Sequence, residues 1–259
     1  MHATTRSEVE SKRAPMTART LLASAAALLA VGLVGAGAAQ ADNGNRNGEG
    51  NGNLQADPEE FVGRAGDCGA GAPAGSRIVT ARWLNGLGLP DDTSSSSGPG
   101  NGRNDKRMGL LLSKNGLTTD CSSADATIKG VKNLRITDGF TLGFDIRNGT
   151  HCGAGAPRFN VMTRSGAFSF VGGCANGTQT PAPQDPAEWT RVRFTVTAAG
   201  QAFPPLAVGD VIESSTIIYD EGTDTPTTQD PMGVGLAVID NIDINGRTIT
   251  RGGGSGNYD

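Results

Sequence analysis

Apolar and polar positions alternate with a period of two along much of the chain. Leu142, Phe144 and Ile146 alternate with Gly143, Asp145 and Arg147, and Val192, Phe194 and Val196 alternate with Arg191, Arg193 and Thr195. Phe168 and Phe170 share one face of the segment 167–171. Such alternation turns one face inward and the other to solvent, which predicts half-buried antiparallel strands. The segment 233–244 (GVGLAVIDNIDI) opens almost continuously apolar instead, as a central strand covered on both faces does. Asn-Gly at 115–116, 148–149, 176–177 and 245–246, and Asp-Gly at 138–139, supply tight turns between these runs. No window after residue 42 carries a helical 3.6-residue period. The pattern predicts an all-β protein, an antiparallel β-sandwich of about nine or ten strands in jelly-roll form.

The patterned body has flanks of a different kind. Lys12, Arg13 and Arg19 precede an apolar run from Leu21 to Val34, and small residues then lead to Ala39-Gln40-Ala41. This is the layout of a signal peptide over 1–41, with Asp42 as the first residue after cleavage; Met16 is an alternative start within it. The apolar run falls short of the roughly 20 residues that a membrane-spanning helix needs. Residues 42–56 (DNGNRNGEGNGNLQA) hold almost nothing to bury and read as a flexible Asn/Gly-rich linker. The folded β-sandwich domain is expected over 57–250, interrupted by a polar loop at 91–105, with a glycine-rich flexible tail over 251–259.

Composition narrows the function classes. The 259 residues include 39 glycines, roughly twice the usual ~7% share, yet without the period of collagen. Removing 1–41 takes four basic and two acidic residues from totals of 22 and 26, leaving a net charge of −6. That is the opposite of the basic footprint of a nucleic-acid binder. No basic amphipathic helix is present to hold an anionic membrane surface, so no membrane partner is expected once the signal is cleaved.

Four cysteines in an exported chain predict two disulfides. A hairpin of 158–163 and 167–171, turning at Arg164-Ser165-Gly166, brings Cys152 and Cys174 to its open end. The expected pairs are therefore Cys152–Cys174 and Cys68–Cys121, each contributing roughly 3–4 kcal/mol through loop closure. A zinc site lacks support: there is no C-x-x-C pair, and after residue 41 the only histidine is His151. The hexapeptide CGAGAP occurs twice, at 68–73 and 152–157, and reads as two similar turns leading into strands. A phosphate cradle would need a following helix, which the pattern does not provide.

Candidate chemistry is sparse. His151 has no G-x-S-x-G nucleophile elbow to serve and reads as a structural histidine beside a disulfide. Asp145, Asp220, Glu221, Asp240 and Asp243 are the acids available for paired-carboxylate catalysis, and they read as solvated surface acids. Asp240 is the exception. Strand parity sets it with Leu236, Val238, Ile242 and Ile244 on an apolar face, where it needs an arginine, backbone N–H groups or a metal as partner. It is the candidate ligand for a structural Ca²⁺, although an EF-hand is rejected because Gly252 stands where a bidentate Glu is required. No other cofactor is indicated. For sugar stacking, Trp83, Trp189 and Tyr219 are the candidates, Trp189 by its shared parity with Arg191 and Arg193.

The run His151-Cys-Gly-Ala-Gly-Ala-Pro-Arg-Phe-Asn-Val161 followed by Cys174 resembles a group of secreted bacterial proteins. The closing Ile239-Asp-Asn-Ile-Asp-Ile-Asn-Gly246 resembles the last strand of jelly-roll carbohydrate-binding and lectin-like modules. Together they cover roughly 110–250 and imply a secreted β-sandwich, with no catalytic residue to transfer. The expectation is a secreted, non-catalytic module for cell-wall or extracellular polysaccharide. Its rivals are a secreted hydrolase or lyase using paired carboxylates, and a structural envelope or matrix protein.

Overall fold

The computed structural model describes residues 54–71, 74–75, 78–89 and 107–250. The predicted signal peptide, residues 42–53 of the linker, the polar loop 91–105 and the tail 251–259 lie outside them. In chain order the strands are β1 (Gln55–Val62), β2 (Val79–Leu84), β3 (Gly109–Lys114), β4 (Ser122–Lys129), β5 (Thr141–Arg147), β6 (Arg158–Thr163) and β7 (Phe168–Gly172). Then follow β8 (Thr178–Pro181), β9 (Trp189–Thr195), β10 (Ala202–Phe203), β11 (Ile212–Tyr219), β12 (Leu236–Ile244) and β13 (Arg247–Ile249). The helical content among the described residues is one short turn, Cys174–Asn176.

The strands form two antiparallel sheets, ordered β1-β4-β11-β6-β7-β10 and β2-β3-β12-β5-β9-β8, with β13 paired to β12. Thirteen strands correct the expected nine or ten. The additions are short ones such as β8, β10 and β13, of four, two and three residues. Runs so short carry too little alternation to register as strands in a sequence. β1 also begins at Gln55, so the last two linker residues are strand, and Ala56 is buried in the core.

The inward faces meet in one apolar core. Phe144 and Phe194 come from the seven-stranded sheet and Phe159 from the six-stranded one. Their centroids lie 6.0 Å (Phe144–Phe159), 5.8 Å (Phe144–Phe194) and 6.3 Å (Phe159–Phe194) apart, so this aromatic triangle locks the two layers together. A smaller cluster, Leu89, Ala182, Trp189 and Val238, lies apart from that core.

β12 departs from the expected parity. Its pairing with β5 shifts register between Asp240 and Asp243, and Asn241 sits there with φ +45°. This bulge reverses which side faces inward. Ala237 and Ile239 before it, and Ile242 and Ile244 after it, all join the main core, while Val238 joins the smaller cluster. Asp240 therefore does not share a face with Ile242 and Ile244, which corrects the reading that set it among them.

Two disulfides close the loops. Cys68–Cys121 joins the segment after β1 to the start of β4, and Cys152–Cys174 bridges the open end of the β6–β7 hairpin.

Candidate functional site

Polar side chains gather at the end of the sandwich where β3 and β11 stop. Lys114, the last residue of β3, is fully buried. Its ammonium donates to the backbone oxygens of Thr118 (3.1 Å), Asp120 (3.0 Å) and Asp220 (2.8 Å). An ammonium has three donors, and all three are engaged, so Lys114 serves as a clamp on two loops rather than a nucleophile. Asp220 in turn accepts both arms of the Arg158 guanidinium at 2.7 Å each. Burial acts to lower the Arg158 pKa, but Asp220, with Glu221 and Asp125, offsets this and holds it above its ordinary value.

Glu221 points the other way, into the second CGAGAP turn. Its Oε2 lies 2.6 Å from His151 Nε2 and accepts the Ala156 N–H at 3.1 Å. The glycines of the motif make room for it: a Cβ on Gly153 would lie 2.1 Å from Oε2, and one on Gly155 would lie 2.5 Å from Oε1. Behind Glu221, His151 is fully buried and packs edge-on to Tyr219 at 5.4 Å. Among the described residues, neither His151 Nδ1 nor the Tyr219 hydroxyl has a hydrogen-bond partner, and Asp230 lies 3.7 Å from Nδ1. Burial and the acids Glu221, Asp230 and Asp220 push the Tyr219 pKa upward, so its hydroxyl stays protonated. Buried or half-buried, this group holds loops together.

A second polar cluster lies on the seven-stranded sheet. Asp145 faces Arg191 on one neighbouring strand and Asp240 on the other. The Arg191 guanidinium reaches the two Asp145 oxygens at 3.0 and 3.1 Å, and Asn241 Nδ2 donates to Oδ2 at 2.9 Å. Asp240 accepts the N–H of Leu89 at 2.8 Å and of Asn241 at 2.7 Å. Gly88 allows that approach, since a Cβ there would lie 2.6 Å from the Asp240 carboxylate. Asp145 and Asp243 are thus buried and partnered, which corrects their reading as solvated acids, whereas Asp240 is buried with backbone N–H partners, one of the arrangements expected for it. Backbone N–H groups supply what a Ca²⁺ at Asp240 was invoked to supply, and no group of three His, Cys, Asp or Glu is gathered for a metal among the described residues.

The three candidate stacking aromatics are all buried. Trp83 donates its indole N–H to the Ala56 carbonyl at 2.9 Å inside the core, and Tyr219 packs against His151. Trp189 is kept out of the main core, as its parity implied, but Leu89, Ala182 and Val238 cover it. None of the three offers a ring to a ligand.

Other rings are exposed, Phe61 on β1 among them. Phe168, Phe170 and Phe203 stand on the outer face of the six-stranded sheet with 39%, 40% and 45% of their surface accessible. Phe168 and Phe170 meet edge-on at 5.0 Å, Phe203 lies opposite Phe170 across the β7–β10 pair, and the Arg158 guanidinium sits 5.1 Å over the Phe170 ring. Sequence parity placed Phe168 and Phe170 on one face. The contribution of Phe203 was hidden, because β10 is only two residues long. No protein-family model, curated protein or solved structure matches the chain.

Proposed function

We propose that the protein is an exported, non-catalytic binding module for cell-wall or extracellular polysaccharide, and that it binds on the outer face of its six-stranded sheet. The observation that carries this reading is the cluster of Phe168, Phe170 and Phe203 beside Arg158 and Asn160. Three large rings left side by side in water cost hydrophobic free energy, and such patches mark places where something else completes the burial. Rings give the apolar face of a sugar a flat contact, and the neighbouring guanidinium and amide serve its hydroxyls. The reading moves the site from the buried Trp83, Trp189 and Tyr219 to this face.

A jelly roll is part of the proposal, supported by strand order. Eight strands divide as β3-β12-β5-β9 in one sheet and β4-β11-β6-β7 in the other, so that chain-consecutive strands among them pass between sheets, except for the β6–β7 hairpin, as in two Greek keys. Export fits the amino-terminal signal pattern and the two disulfides. Among the described residues, no helix is long and apolar enough to cross a membrane.

Affinity electrophoresis of the full chain through gels containing cellulose derivatives, xylan or mannan tests the reading. Retardation by at least one polymer is expected, with loss of about tenfold in affinity for Phe168→Ala/Phe170→Ala. No retardation by any of the polymers, or retardation unchanged in that variant, overturns it.

A further inference from the structure

We infer that the bound chain is uncharged and extended, and that it crosses the strands of the six-stranded sheet from edge to edge, an inference that rests on the polysaccharide reading above. The register supplies the path. Phe203, Phe170, Asn160, Thr216, Thr127 and Asp57 lie opposite one another through five successive strand pairs. At about 4.8 Å per strand, the row is about 24 Å long, far longer than one sugar ring. Its two halves differ in chemistry. The β10–β7 end offers rings, and the middle offers the amide of Asn160 and the hydroxyls of Thr216 and Thr127, all half-buried. Hydroxyl and amide groups both donate and accept, which matches a chain that presents hydroxyls of either role at each step.

Charge selects against an acidic chain. Asp57, at the far end of the row, is paired with Lys129, and Arg158 beside the row is paired with Asp220. Among the described residues, no cation beside the row is thereby left over for a ligand carboxylate, and Glu59 in the adjacent row repels one. The row also runs between the two edge strands, β10 and β1. It therefore fits an internal stretch of a polymer rather than a chain end.

Calorimetric titration of the full chain with cello-, xylo- and manno-oligosaccharides, from disaccharide to hexasaccharide, tests this. For the sugar type that binds, affinity should rise about tenfold or more from disaccharide to hexasaccharide. Thr127→Val/Thr216→Val keeps the branched side-chain shape and removes two hydroxyls. It should bring the hexasaccharide down toward the disaccharide value and leave the disaccharide unchanged. Equal affinity at all lengths, or a hexasaccharide affinity untouched by the double variant, overturns the path while leaving the polysaccharide reading intact. Oligogalacturonate binding as tightly as the neutral series overturns the charge selection. Absence of binding by every oligosaccharide and every gel polymer removes the reading itself.

Discussion

Glu221 and His151 meet at 2.6 Å inside the turn formed by the second CGAGAP hexapeptide. The carboxylate also takes the Ala156 N–H, so one side chain from the end of β11 braces the segment leading into β6. The glycines are what permit it, because the carboxylate occupies the space where their Cβ atoms would be.

Gly153→Ala should therefore destabilise the fold by about 1–3 kcal/mol, the ordinary cost of forcing a methyl group into packed structure. The close atoms belong to Glu221 and His151, so Glu221→Ala should be less damaging in the Gly153→Ala background than in the parent. Denaturant unfolding of the two single variants and the double variant reads this coupling. Strictly additive losses would mean that the new methyl group clashes elsewhere.

Lys114 leads to a second expectation. Lys114→Met keeps much of the side-chain volume but leaves the carbonyls of Thr118, Asp120 and Asp220 without their shared donor. Buried acceptors left unpaired cost about 1–3 kcal/mol each at most, so a loss of about 3 kcal/mol is expected in denaturant unfolding. Full stability in Lys114→Met would show that water replaces the ammonium at no cost.

At Asp240 both carboxylate oxygens accept backbone N–H groups. Asp240→Asn replaces one acceptor with a donor that faces another donor, at a cost of about 1–3 kcal/mol. Because the N–H groups already partner the carboxylate, parent-protein melting temperatures should agree with and without chelator. A melting temperature that falls on chelation and recovers with Ca²⁺ would refute the N–H assignment.

These sites show why some of the structure could be read in advance and some could not. Alternation in 141–147 and 189–195 is local, and it correctly turned Leu142, Phe144, Val192 and Phe194 inward. The side of Trp189 was legible for the same reason. Its burial was not, because Leu89 and Val238 reach it from remote parts of the chain. The bulge at Asn241 depends on pairing with β5, so parity counted along 236–244 failed halfway. CGAGAP is the clearest case. Gly69 and Gly71 in the first copy have φ of +119° and +83°, whereas Gly153 and Gly155 in the second lie outside that left-handed region. The two copies thus differ in backbone at these glycines, and the second closes around a carboxylate that follows β11, more than sixty residues away.

Asp125 provides a test through pH. It lies on the outer face of β4, where Ser123 donates to its Oδ2 at 3.2 Å and its Oδ1 has no partner among the described residues. Burial is the main cause that raises its pKa from 3.8 to about 7; Asp220 and Glu59 add to the rise, and Ser123 and Arg158 oppose it. Between those two values the folded protein holds a proton that the unfolded chain has released. Stability from this group is therefore present at low pH and is lost as pH rises from about 4 to about 7. Asp125→Asn cannot ionise and removes that slope. Melting temperatures of the parent and Asp125→Asn, taken from about pH 4 to about pH 8, should diverge in favour of the variant as pH increases. Comparing the two proteins at each pH cancels the other titrating groups. Parallel profiles across the range would place the Asp125 carboxyl in contact with water and return its pKa to the ordinary carboxylate range.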